Sequence, residues 1–366
     1  MVILAVLTAA AAGRGGSGHG LINAVLCRPL RPSAATAVRP ACFAAQCGTA
    51  REPSMDLQPL TGEFAGIATA ALWAATSLCF TAAGKRVGSL PTNVIRLAIG
   101  VAMLSVFGWV VRGQLIPADA TAHAWLWLSI SGVLGMVICD LCLFESFLWI
   151  GPRMGMLMLT LAPPVATLTA WGILGEQPAT QHWLGMAMVL GGVAWVVLER
   201  RVDADGRVHR HPVAGVLLGV LAAASQGVGM ALSRHGMWVV TNGVRVDQCE
   251  PFAAAQIREL AGLVVMVVFF FLIRAWPRTV RALRDRGAMG FLSLGAFLGP
   301  FLGVAMSMVA LKHAPVGVAS TLIAMSPIFV LPMVVVFHRE KLSLRAVAGA
   351  LLAVAGVATL KINFGG

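Results

Sequence analysis

The sequence predicts an all-α membrane protein of ten transmembrane helices, built as two inverted five-helix repeats. Three observations predict it. The composition is too apolar to cover a water-exposed surface, apolar runs of about 20 residues alternate with short polar breaks as bilayer-spanning helices require, and the second half of the chain repeats the first.

The composition bounds the class first. The chain has 366 residues, of which 58% are hydrophobic and 11% charged, with a mean hydropathy of +0.84. Ordinary soluble domains carry about 25% charged residues. The formal charge of +12 comes from 27 Lys and Arg against 15 Asp and Glu. These basic residues gather between the apolar runs, where they would face lipid head groups and set topology. No basic helix or aromatic–basic sheet pattern accompanies them, so nucleic acid is not expected as a partner. The expected partners are a small-molecule solute and membrane lipid, with monomer and homodimer both open.

Residues 1–61 read as a disordered N-terminal tail. They hold several Arg and no acid before Glu52, and MDLQPLTGEF opens at Met55, just ahead of the first strong apolar run. Two readings are open: a transit-like leader, or an extension upstream of the true start. The opening MVILAVLTAAAA is short and has no basic residue ahead of it, so it makes a poor signal peptide. Gly13, Gly15 and Gly18 spell G-x-G-x-x-G in low-complexity sequence. A dinucleotide fingerprint needs a strand before it and a helix after it, and neither is expected here.

From residue 62 the apolar segments fall at roughly 63–83, 90–111, 124–149, 154–174, 181–198, 213–236, 251–274, 288–311, 316–337 and 343–362. Breaks such as RGQLIPADA, GEQPATQ and ERRVDADGRVHRHP hold the Pro, Gly and charge, and none is long enough for a soluble domain. The halves are 62–201 and 212–363. At an offset of 164 residues Pro163 meets Pro327, Glu176 meets Glu340, Gly185 meets Gly349, and Gly192-Val193-Ala194 meets Gly356-Val357-Ala358. Ile95-Arg96 meets Ile257-Arg258 at an offset of 162. Five is an odd number of crossings, so the second copy must lie inverted relative to the first. Inverted repeats with a central site at their interface are typical of secondary transporters.

A Pro inside the fourth helix of each half, a Glu thirteen residues later, and then a G-x6-G-V helix resemble the EamA type of the drug/metabolite transporter superfamily. The stretches that carry the likeness are APPVATLTAWGILGEQ with WLGMAMVLGGV, and ALKHAPVGVASTLIAMSPIFVLPMVVVFHREK with AGALLAVAGV. The likeness spans about residues 62–363. His338-Arg339-Glu340 departs from it, because the family more often has Gly before the Glu. The resemblance implies a carrier of amino acids, sugars, metabolites or drugs. Substrate does not carry over, and a cell (inner) membrane location is expected.

Within the apolar runs, ionisable and polar residues mark candidate sites. Asp140 lies near the middle of the third segment, and Glu145 follows roughly 7–8 Å along and about 140° around the helix. An acid at mid-membrane costs about 2.5–3.5 kcal/mol on insertion scales and usually faces a cavity. Asp140 is therefore expected at a central cavity as a proton or solute site, or else as a neutral carboxyl bonded to a neighbouring helix. Glu145 is expected to be structural.

Arg96 and Arg258 suit snorkelling to head groups, with substrate binding the alternative. Glu259 is either the partner of Arg258 or the counterpart of Asp140. Trp73 and Gln226 occupy corresponding places at an offset of 153 and suit a cavity wall or plain packing. Pro163, Pro164 and Pro327 suit hinges or static kinks.

Other classes find less support. HExxH, GxSxG and Walker A motifs are absent, and the His residues are single or lie in loops. Neither an enzyme nor a cofactor or metal site is expected. Cys139-x-x-Cys142 lies in an apolar helix without a second pair, so packing is expected for it. A channel would show a repeated polar pore stripe. Orientation stays open, because the breaks after the odd-numbered segments hold most of the Lys and Arg, placing the termini outside, whereas the resemblance implies cytoplasmic termini.

Overall fold

Gly88 alone separates the first two helices, α1 (Gln58–Val87) and α2 (Ser89–Arg112). It takes φ 90, which a residue without a Cβ adopts at little cost. Gly113, at φ 73, ends α2 by donating its N–H to the Trp109 carbonyl at 2.9 Å. The computed structural model describes residues 58–143, 145–146, 158–198, 212–241, 244–329 and 344–361.

The described chain continues with α3 (Ala122–Leu143), α4 (Ala162–Leu174), α5 (Thr180–Leu198), α6 (Pro212–Met237) and α7 (Pro251–Leu272). A short α8 (Trp276–Ala282) leads to α9 (Arg286–His313), α10 (Val316–Ile323) and α11 (Leu344–Lys361). Six of these are long and apolar enough to cross a bilayer: α1, α2, α3, α6, α7 and α9. Their outward faces carry large apolar side chains such as Trp109, Val110, Leu217 and Phe271, which suits lipid and not water. The chain is a multi-pass membrane protein.

The halves interleave. Helix α1 of the first half packs against α9 and α10 of the second, while α6 of the second packs against α3 and α4 of the first. The other helices meet their repeat equivalents. Gly192 of α5 packs on Gly349 and Ala353 of α11, and Gly356 of α11 packs on Gly185 and Val189 of α5. Contacting positions rise along one helix as they fall along the other, so these two equivalent helices run antiparallel. The same holds for α2 and α7, where Gly100 faces Glu259 and Ser105 accepts from Gln256 Nε2 at 3.0 Å. Antiparallel equivalents are what an inverted repeat requires.

Two π-helical turns interrupt this regularity, Val133–Ile138 within α3 and Phe297–Gly303 within α9. Their starts differ by 164 positions, the offset of the repeat. The second accommodates Pro300, whose missing N–H cannot join an i→i−4 ladder.

One element was not expected. Between α6 and α7, strands β1 (Trp238–Thr241) and β2 (Val244–Asp247) pair antiparallel, with Trp238 opposite Asp247. Lys312 at the end of α9 pins this hairpin. Its Nζ is 2.5 Å from Asp247 Oδ2 and lies over the Trp238 ring at 5.3 Å. Burial pushes the thiol of nearby Cys249 up to about 12, against the lowering influence of Lys312. At the start of α9, Asp285 accepts from Ala288 N at 3.0 Å and Arg86 Nε at 3.1 Å. These bonds, the backbone one foremost, hold its carboxyl below the usual range.

Candidate functional site

A cavity of about 120 Å³ lies between the halves, room for a small organic solute and not just one or two waters. Its walls come from α1, α4, α6 and α10, and equivalent positions face each other across it. Trp73 and Gln226 differ by 153, as do Ser77 and Met230, while Pro163 and Pro327 differ by 164. The cavity therefore sits on the pseudo-symmetry axis. Its lining is largely apolar, with the Trp73 indole, the Gln226 amide and several hydroxyls as its polar groups. Ser77, Ser320 and Ser326 each donate to a carbonyl of their own helix, at 2.7, 2.7 and 2.8 Å, so they offer a solute oxygen lone pairs. Trp73 rests on Gly303, where a Cβ would come within 2.7 Å of its Nε1.

Two lining segments are broken helices. Ahead of α4 the helix is interrupted at 160–161, and α10 is interrupted at 324–325 before resuming to Phe329. These breaks also differ by 164. Pro163 and Pro327 each stand in the first turn after a break, where a missing N–H leaves no bond unmade. Discontinuous helices at matching positions of two halves are the commonest pointer to a transporter site.

Behind the Gln226 wall lies a buried charged cluster. Arg96 forms an ion pair with Asp140 and also donates Nε to Asn93 Oδ1 at 2.7 Å, with its guanidinium 5.5 Å from the Phe80 ring centre. Arg96 thus turns inward, away from head groups. Asp140 does not line the cavity; an acid in an apolar helix is most stable with its charge countered, and Arg96 supplies that. Arg258 and Glu259 are 3% and 0% exposed. Successive residues on α7 diverge, so Arg258 turns toward Gly135, Gln226 and Met308, while Glu259 turns toward Gly100 of α2.

A second network ties the halves at one end. Glu176, just past α4, has Oε1 2.7 Å from Arg234 Nε, and its Oε2 accepts the Val316 N–H at 3.0 Å. Arg234 also donates to the carbonyl oxygens of Leu311, at 2.7 Å, and Ala314. These contacts lie about 20 Å along α4 from Pro163, at the end where α1 begins, and hold the halves together there. Glu340, the repeat equivalent of Glu176, lies outside the described residues.

The structure gathers Trp73, Gln226, Pro163 and Pro327 at one cavity and places Asp140, Arg258 and Glu259 in the cluster beside it. Pro164 is half-buried next to Pro163 without lining the cavity, and Glu145 is exposed, while its neighbour Ser146 is buried and donates to the Gly215 carbonyl at 2.9 Å. Sequence reasoning missed the π turns and the Arg234 network. The Gly-rich SGVLGM and GAFLGPFLG were the available signal for the former; a lone Arg near a helix end gave none for the latter. No group of three or more His, Cys, Asp or Glu fit to hold a metal occurs among the described residues.

Comparison with known proteins agrees with this geometry. A solved crystal structure, described only as that of a protein, has a TM-score of 0.65 to this chain at 18% identity, covering 82% of this chain and 95% of that one. The likeness is one of fold. No curated protein matches. Residues 60–198 and 213–361 each match the EamA-like transporter family, once per half of the interleaved fold. The chain belongs to the EamA-like transporter family, whose members are membrane transporters.

Proposed function

We propose that this protein is a secondary transporter that moves a small metabolite, amino acid or drug across the cell (inner) membrane by alternating access. Ten helices cross the bilayer, five in each inverted half. The observation that carries this reading is the cavity on the pseudo-symmetry axis, walled by equivalent residues of both halves and by two broken helices. A pseudo-two-fold site makes the two access states near rotational equivalents of one another, so small rocking of one half against the other exchanges them. The conformation described here corresponds to closure at the Glu176–Arg234 end. Trp73 and Gln226 contact the solute, and the Arg96–Asp140–Glu259 cluster takes part in coupling to protons.

The test is saturable solute counterflow in proteoliposomes, screened over amino acids and small metabolites, with proton movement recorded alongside. Saturable flux reduced at least tenfold in Trp73→Ala supports the reading. Flux that rises linearly with concentration points to a channel, and none with any solute points to a scaffold. Proton movement retained in both Asp140→Asn and Glu259→Gln removes the coupling role.

A further inference from the structure

The least explained group among the described residues is the Arg258 guanidinium. It is 3% exposed and lies in a segment apolar enough to span a bilayer. Among the described residues its one hydrogen bond is from Nη1 to the Met308 sulfur at 3.5 Å, a weak acceptor, and its Nε has no partner. The nearby acids do not neutralise it by contact. Asp140 is engaged by Arg96, and Glu259 reaches the other way, with Oε2 3.5 Å from where a Cβ on Gly100 would stand. Glu259 therefore offsets its charge only through space, and a buried guanidinium with most of its donors unused is costly, which is hard to reconcile with a purely packing role.

The guanidinium stands behind one wall of the cavity. The π turn and two glycines of α3 bring backbone against Arg258, and a Cβ on Gly135 would sit 2.8 Å from Nη2 and 3.2 Å from Gln226 Oε1. Gln226 is itself a cavity wall. Its amide therefore stands between an apolar chamber and a guanidinium short of hydrogen-bond partners.

We propose that Arg258, with Gln226 in front of it, is an anion subsite that takes the carboxylate of the transported solute, whose apolar body occupies the chamber beside Trp73. This rests on the transporter reading and narrows it to organic monocarboxylates. A guanidinium donates a planar fork that matches a carboxylate. A zwitterion or a cation is disfavoured, because among the described residues no acidic side chain lines the chamber to receive an ammonium group.

The test is ligand-induced thermal stabilisation of the purified protein in nanodiscs with four probes of one shape: phenylacetate, phenylacetamide, phenylethylammonium and phenylalanine. Phenylacetate is expected to stabilise the protein saturably and to bind at least tenfold more tightly than the other three. Arg258→Gln should abolish this preference. Because removing a buried Arg can impair folding, Gln226→Glu is the second variant: it gives Arg258 a carboxylate partner, keeps the fold, and should weaken phenylacetate binding at least tenfold.

Equal or tighter binding of the amide or the ammonium, unchanged phenylacetate affinity in Gln226→Glu, or no stabilisation by any probe overturns the proposal. Saturable flux of an uncharged solute would still uphold transport in those cases. Phenylacetate binding without flux of any solute would uphold the subsite and remove the transport reading.

Discussion

Glu176 of the first half and Arg234 of the second stand 2.7 Å apart, and the same carboxylate accepts the N–H of Val316. One acid thereby joins the ends of α4 and α6 to the start of α10 across the repeat boundary. The side chains are mostly shielded, at 17% and 9% exposed, so the pair is worth more than a surface ion pair.

Glu176→Gln keeps an acceptor for Val316 and removes the charge. It should lower stability by about 2 kcal/mol, read as a fall in thermal midpoint in detergent. A cysteine at Ser320 should also become more reactive to an impermeant maleimide added from the side where α1 begins. Unchanged labelling would mean that the tie is static and does not gate the cavity.

Arg96 and Asp140 form a pair whose two members should fail separately and partly rescue each other. Asp140→Asn removes the contact partner of Arg96, leaving only Glu259 to counter it through space, and should cost about 3 kcal/mol. Arg96→Gln combined with Asp140→Asn should recover part of that loss, giving a coupling energy of about 1–3 kcal/mol in a double-mutant cycle. Strict additivity would show that the contact contributes no net stability.

Much of this arrangement was readable in advance, for identifiable reasons. Apolar segments and short breaks follow from the thickness of a bilayer, and a repeat at a fixed offset pairs Pro163 with Pro327 without any structure. The same symmetry put Trp73 and Gln226 in matching places, where both now wall one cavity. Asp140 was different. Periodicity gives the direction of a side chain on its own helix but not what the neighbouring helix presents, so its pairing with Arg96 was hidden. The hairpin after α6 was legible but overlooked: Asn242-Gly243 between two β-branched runs is a strong two-residue turn signal. The π turns depend on how α3 and α9 meet α7 and α1, which the glycines of SGVLGM and GAFLGPFLG signal without fixing.

Gly132 and Gly172 both lie in helices, yet should respond oppositely to alanine. A Cβ on Gly132 would stand 2.8 Å from the Arg258 Cα, a backbone atom that cannot swing aside, whereas one on Gly172 meets nothing within 4 Å. Gly132→Ala should destabilise by about 1–3 kcal/mol through overpacking. Gly172→Ala should be neutral or stabilising by up to about 1 kcal/mol, because alanine loses less backbone freedom in a helix. Thermal unfolding of the two variants side by side checks the contrast.

Cys249, in the connector after the hairpin, provides a pH-dependent reading. Its thiol is raised by burial to about 12, while an unfolded thiol titrates near 8.5. A raised folded value means that the folded state holds its proton longer, so stability is full below about pH 8.5 and declines as pH rises through that window toward 12. Iodoacetamide should therefore label Cys249 in unfolded protein at pH 8.5 and leave it largely unmodified in folded protein. Rapid labelling of the folded form would show that the connector opens readily.

Pro163 and Pro327 test whether the broken helices move. Each stands in the first turn after a break, so its missing N–H is no loss to the helix, and replacement by alanine should alter stability by less than about 1 kcal/mol. What alanine does change is the break itself: an added N–H and a freer φ let the helix run continuously through 160–161 and 324–325. If the halves rock about these points, joining the segments stiffens them, and the double variant should turn over at least fivefold more slowly with KM within twofold of the original. A lowered affinity at unchanged turnover would instead make the prolines wall residues of the cavity, shaping the space beside Trp73 without acting as hinges.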